Sequence, residues 1–180
     1  MLQKCNLWNV ASVFFDNPEK RFELMGISKT IKLAHTSVKK HLQVLIELKI
    51  VLKGFAEFGN KKNPCYYADR RNPEFIHYKK IYNLEKLKQS NVLSLITDKC
   101  QPNSIVLFGS FMKGEDSILS DIDLFIESNE CLLDLKKYEK KLNRKFQLHF
   151  KQVFTTYPKE LKNNIINGNV LYGYLEAYDA

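Results

Sequence analysis

Ile105-Val106-Leu107-Phe108-Gly109-Ser110, followed after ten intervening residues by Asp121-Ile122-Asp123-Leu124-Phe125-Ile126, is the stretch on which the reading of this chain turns. The first four residues form an apolar run of strand type, and Phe111-Met112-Lys113-Gly114 beyond the Gly-Ser pair begins a helical turn. Strand, glycine and helix start together make a phosphate-binding geometry. Gly109 lets the backbone approach an oxyanion closely, and backbone N–H groups with the Ser110 hydroxyl donate to it. Taken alone, a Gly-Ser pair after a strand is more often simply a turn. On the second run, alternation along a strand predicts that Asp121 and Asp123 share one face while Ile122, Leu124 and Ile126 take the other. Two like charges facing the same space repel unless a cation neutralises them, so the pair suits one or two Mg²⁺ ions. The competing reading is an edge strand with a solvated polar face.

Taken together, Gly109-Ser110 and Asp121-x-Asp123 between hydrophobic residues resemble the DNA polymerase β-like nucleotidyltransferase superfamily, in particular its smallest branch, the minimal nucleotidyltransferases. The resemblance extends over about residues 100 to 175. It takes in Lys113-Gly114-Glu115, Ser120, and the closing Ile165-Ile166-Asn167-Gly168 to Leu171-Tyr172-Gly173. It implies a mixed sheet with helices on one side. Gly109 and Ser110 would hold the triphosphate, with Lys113 and Ser120 beside it, and Asp121 and Asp123 would be catalytic ligands of two Mg²⁺ ions during transfer of a nucleotide to a hydroxyl. Active members carry a third carboxylate on a later strand, here Lys145-Phe146-Gln147-Leu148-His149-Phe150. The expected position falls on Gln147, or on His149 if the register shifts by two, and neither is an acid. Gln offers a metal one neutral oxygen, and neutral His prefers softer ions than Mg²⁺.

Charge separates the two halves. Residues 1–98 carry 17 Lys and Arg against 9 Asp and Glu, whereas residues 99–180 carry 11 of each, so the whole net charge of +8 belongs to the first half. Such asymmetry suits either a polyanionic partner or a solubilising surface. Within that half, Leu7, Val10, Ala11 and Phe14 recur at helical spacing and end at Asp16-Asn17-Pro18. Phe22-Glu23-Leu24 alternates like a brief strand. Gly26, with Ser28 as N-cap, opens a second helix through Leu33, and a third, capped by Thr36 or Ser37, runs to about Lys49 with Val38, Leu42 and Leu45 on its inner stripe. Ile50 to Phe58 and Cys65 to Ala68 read as strands around a basic turn, Gly59 to Pro64.

This order resembles the winged helix-turn-helix family over roughly residues 5 to 70. The resemblance implies a third helix in the major groove of double-stranded DNA, which carries to Ser37, Lys39, Lys40 and His41, with Lys61 and Lys62 of the wing at phosphates. An ordinary solvated helix face is the alternative.

The expected organisation is therefore α+β: a DNA-binding domain at 1–70, a helical connector at 71–98 and a minimal nucleotidyltransferase domain at 99–180. The connector, from Pro73 to Thr97, reads as one long helix or two short ones, and its apolar stripe suits either core packing or pairing with a second copy. Cys5, Cys65, Cys100 and Cys131 are isolated in sequence, which argues against both zinc and a disulfide. No run approaches a membrane span, and Met1 to Val10 lacks a charged segment followed by an apolar one, so a cytoplasmic location is expected. Two functions follow: nucleotidyl transfer to a protein or nucleic-acid hydroxyl at a DNA site, or DNA-binding regulation with a degenerate nucleotide-binding domain.

Overall fold

In the computed structural model, which describes residues 5–58 and 61–177, the chain divides into two units, Met1–Tyr82 and Asn83–Ala180. The fold is α+β. In the first unit, α1 (Asn6–Asp16) buries Val10, Ala11, Val13, Phe14 and Phe15. The two-residue strand β1 (Phe22–Glu23) leads directly into α2 (Leu24–Ile31), and α3 (His35–Glu47) buries Val38, Leu42 and Leu45 as its spacing predicts. The hairpin of β2 (Val51–Phe58) and β3 (Lys61–Ala68) completes an antiparallel sheet in the order β1-β3-β2. One cluster unites the three helices with Val51, Tyr66 and Ala68 of the hairpin and with Phe75 of the next helix. Each fully buried Phe, Leu or Ile side chain contributes about 1.5–3 kcal/mol.

Three local expectations are corrected. Ser28 is no cap: it lies buried inside α2, and its hydroxyl donates to Leu33 O, tying down the helix end. Helix α3 starts at His35 after Ala34 with no side-chain cap, one or two residues ahead of Thr36 and Ser37. The hairpin is longer than expected, since Lys61 to Pro64 pair with Phe55 to Phe58 rather than turning. Gly59 and Asn60 of the expected turn, and the Lys61 side chain, lie outside the described residues.

The connector is two helices. In α4 (Pro73–Ser90), Phe75, Tyr78 and Tyr82 join the first unit's cluster, whereas Leu84 and Leu87 join the second unit's. Asn91, at φ 64°, separates it from α5 (Val92–Cys100).

The second unit is a four-stranded mixed sheet in the order β6-β5-β4-β7. Central β4 (Ser104–Phe108) pairs antiparallel with β5 (Ile122–Ile126) and with β7 (Asn169–Gly173), and β5 runs parallel to β6 (Phe146–Phe150). All five residues of β4 are buried, which is why an unbroken apolar run marks it. On one face Ile105, Leu107, Ile122, Leu124 and Ile126 pack with α5, α6 (Gly109–Lys113) and α7 (Lys136–Leu142). On the other, Val106, Phe108 and Phe125 pack with Phe154, in a short 3₁₀ turn, and with Ile165 of α8 (Lys159–Ile166).

The sequence argued against any disulfide, yet Cys100 and Cys131 are bonded, with Cα atoms 5.8 Å apart. The antiparallel β4–β5 pair brings them together: Asn103 N–H donates to Glu127 O, so the segments holding the two cysteines meet at one end of the sheet. Among the described helices none is long and apolar enough to cross a membrane.

Candidate functional site

The other end of that sheet, where β4 leaves and β5 and β6 enter, gathers several of the polar residues singled out in the second half of the sequence. Phe108 opposes Asp123 across the β4–β5 pair, and Asp123 opposes Gln147 across the β5–β6 pair. A cavity of about 350 Å³ lies there, lined among others by Gly109, Ser110, Lys113, Asp123, Gln147 and His149.

Its floor depends on glycine. At φ +75°, Gly109 occupies the left-handed region that other residues reach only at a cost, and a Cβ there would overlap Asp123 Oδ2. The backbone turn at the end of β4 and the carboxylate on β5 thus share one surface. Ser110 follows in α6, whose last turn closes at Gly114, and Glu115 N–H donates to Ser110 O.

The two aspartates are not equivalent. Strand β5 begins at Ile122, whose N–H donates to Lys145 O, so Asp121 sits just before the strand rather than on it. Asp121 is exposed and outside the cavity lining, whereas Asp123 is half-buried and inside it. Ser120 also lies outside the lining; its Oγ accepts from Ser117 N–H at 2.9 Å, organising the turn that delivers Asp121. Because β5 lies between β6 and β4, the edge-strand reading of Asp-x-Asp does not hold.

Burial pushes the Asp123 carboxyl above its ordinary pKa; the facing His149 opposes that shift and the nearby Asp121 charge adds to it. Burial likewise lowers His149, with Asp123 pulling the other way. The His149 ring lies 5.2 Å from that of Phe108, and its Nδ1 is 3.4 Å from the Tyr157 hydroxyl, itself raised in pKa by burial. Glu127, one residue past β5, is buried and spent elsewhere: it accepts from Ser104 Oγ at 2.9 Å and from Phe154 N–H at 3.2 Å.

Among the described residues no group of three or more His, Cys, Asp or Glu side chains is placed to hold a metal unaided. Two carboxylates of unequal exposure suit instead a hard cation that arrives with phosphate oxygens and water completing its shell.

A family model, the nucleotidyltransferase domain, matches residues 90–171. Those residues form a nucleotidyltransferase domain. The match runs from the end of α4 into β7 and so contains every residue of the cavity. Among curated proteins, none matches the chain significantly. The chain is similar to a solved structure described as a possible transcriptional regulator from Methanosarcina mazei Go1. The identity is 20% over 52% of this chain and 73% of that one, with a TM-score of 0.36.

Leu161 and Asn164 of α8 also line the cavity of the nucleotidyltransferase domain, and sequence reasoning missed them. They sit far along the chain on a short helix without a motif, and only folding brings them to Ser110. On the first unit, Lys39 and Lys40 are exposed on α3 with Ser37 and His41 half-buried beside them, and Lys62 is exposed on β3, 3.8 Å from Glu57.

Proposed function

We propose that the chain is a DNA-binding protein whose C-terminal domain takes a nucleoside triphosphate with Mg²⁺ and transfers its nucleotidyl group to a hydroxyl acceptor. The observation that carries this reading is the contact between the Gly109 turn and Asp123, which puts a backbone able to donate hydrogen bonds to phosphate and an acid on one cavity floor. The Ser110 hydroxyl and neighbouring backbone N–H groups donate to phosphate oxygens, and the exposed Lys113 adds positive charge at the rim. Asp123, with Asp121 near it, supplies the negative charge that a nucleotide-bound cation needs. When bound, Mg²⁺ neutralises charge on the phosphates and on the pyrophosphate that leaves. The chain's own part is positioning: the α-phosphorus is held for in-line attack by the acceptor oxygen, and Phe108 and Leu161 shield the cavity wall.

For the first unit, Lys39 and Lys40 of α3 support a major-groove contact with double-stranded DNA, with Ser37 and His41 alongside and Lys62 at phosphates.

A second reading, a DNA-binding regulator that senses nucleotide without turnover, is favoured by one observation. Gln147 is the register partner of Asp123, at the position where the resemblance calls for a third acid.

Incubation with α-labelled nucleoside triphosphates and Mg²⁺, with and without duplex DNA, separates the two. Label transferred by wild type and lost in Asp123→Asn supports transfer. Nucleotide binding without transfer, alongside salt-sensitive duplex binding lost in Lys39→Glu/Lys40→Glu, supports the regulator. A chain that neither transfers nor binds nucleotide refutes both.

A further inference from the structure

Although residues 99–180 are balanced in charge overall, six of their eleven Lys and Arg fall within residues 136–145, Lys-Lys-Tyr-Glu-Lys-Lys-Leu-Asn-Arg-Lys. Folding sharpens the concentration. In α7, Tyr138 and Leu142 turn inward, and Arg144 is buried in an ion pair with Asp116, while Lys136, Lys137, Lys140 and Lys141 are all exposed. The two acids nearest in sequence are engaged by the backbone: Glu139 Oε1 accepts from Phe146 N–H at 3.2 Å, and Asp134 Oδ1 accepts from Lys136 N–H at 3.2 Å. Lys141 Nζ donates to Gln89 O at 2.7 Å, which sets the exposed Lys88 beside the same surface.

The surface has a direction. It continues through exposed Lys145, whose carbonyl oxygen accepts from Ile122 N–H at 2.8 Å, so the backbone that carries this last lysine stands next to the residue between Asp121 and Asp123. Exposed lysines along α7, with Lys145 two residues before Gln147 of the cavity lining, fit a flexible polyanion, since each phosphate they meet releases condensed counterions.

We propose that α7 and Lys145 form a docking surface for the phosphodiester backbone of a nucleic-acid strand, leading the strand's end toward the cavity. The binding stands on the lysine surface alone. That the strand's end is the acceptor hydroxyl rests on reading the cavity as a nucleotide site.

The test uses the full-length chain with Lys39→Glu/Lys40→Glu, to silence α3, and a labelled single-stranded oligonucleotide titrated over a range of salt. Lys140→Ala/Lys145→Ala is compared with Lys99→Ala/Lys151→Ala, which removes the same charge at exposed positions outside α7. Two lost phosphate contacts, at about 0.7 each for single strands, lower the slope of log affinity against log salt by about 1.4. That corresponds to about 25-fold weaker binding at 0.1 M salt when the affinities coincide at 1 M. The control pair leaves the slope within about 0.3 of its parent. Equal losses from the two pairs, or equal affinity for polyglutamate of matched charge, overturn the proposal. Nucleotide binding measured on the same variants keeps the readings apart. Strand binding sensitive to α7 without any nucleotide binding leaves this surface standing and removes the acceptor role, whereas nucleotide binding with an inert α7 removes the surface alone.

Discussion

Replacing Gly109 by alanine makes two demands on the second unit that can be measured separately. At φ +75° an L-residue costs about 1–2 kcal/mol relative to glycine. The new Cβ also overlaps Asp123 Oδ2 and comes within 3.0 Å of its Cγ, an overpacking of about 1–3 kcal/mol. Gly109→Ala therefore destabilises by about 2–5 kcal/mol. For a unit of this size each kcal/mol shifts the midpoint by about 4–8 °C, so its thermal transition falls by about 8–40 °C. Asp123→Ala alone removes a half-buried carboxylate and leaves stability nearly unchanged or slightly higher. The double variant retains the backbone strain but loses the collision, since only a Cβ 3.4 Å away remains. A double-mutant cycle by chemical denaturation then returns a coupling of about 1–3 kcal/mol between the two sites. Additive effects, or Gly109→Ala with wild-type stability and nucleotide affinity, would refute a shared cavity floor.

Gln147→Asp adds a carboxylate opposite Asp123, and should raise Mg²⁺-dependent nucleotide affinity by about tenfold, or 1.4 kcal/mol, by calorimetry; unchanged or weaker affinity would remove the third-acid explanation. Because the folded-state pKa of Asp123 is raised, its protonated form is favoured in the fold. Without ligand, stability tied to this group is full below about pH 4 and declines as pH rises through the raised value. Asp123→Asn should remove that decline in a pH series of thermal melts, so that the variant gains on wild type as pH rises. Reduction of Cys100–Cys131, or its double Ser variant, opens a loop with a sequence separation of 31 and should cost about 3–4 kcal/mol, read as a lower unfolding midpoint. Identical midpoints with and without reductant would show that the bond constrains nothing.

The parts of the fold that sequence revealed are those set by local periodicity. Val38, Leu42 and Leu45 lie on the buried stripe of α3, and the unbroken run Ile105 to Phe108 is a central strand buried on both faces. What sequence missed depends on partners distant in the chain. Ser28 was an acceptable cap by type, but Leu33 O captures its hydroxyl. Asp121 leaves the strand because pairing with β6 begins at the Ile122–Lys145 hydrogen bond, which alternation within one segment cannot locate. Cys100 and Cys131 become neighbours only once β4 and β5 pair.

The same dependence explains why the cavity's chemistry turns on its neutral side. Among the groups that face Asp123 are several that are uncharged or weakly basic: the Gly109 backbone, the Gln147 amide, and a His149 whose burial lowers its affinity for a proton. With Asp121 out in solvent, the fixed negative charge at the cavity is smaller than three convergent acids would supply, and attraction for a free divalent cation falls accordingly. A nucleotide changes that balance, because its phosphates bring the missing anionic oxygens with them. On the proposed reading the cation and the nucleotide depend on each other for binding, so that each raises the affinity of the other by the same factor. On the proposed reading, the substitution of an amide for an acid shifts work from the protein to the ligand, and Ser110 and Lys113, the proposed phosphate contacts, become as necessary to the metal as the aspartates are.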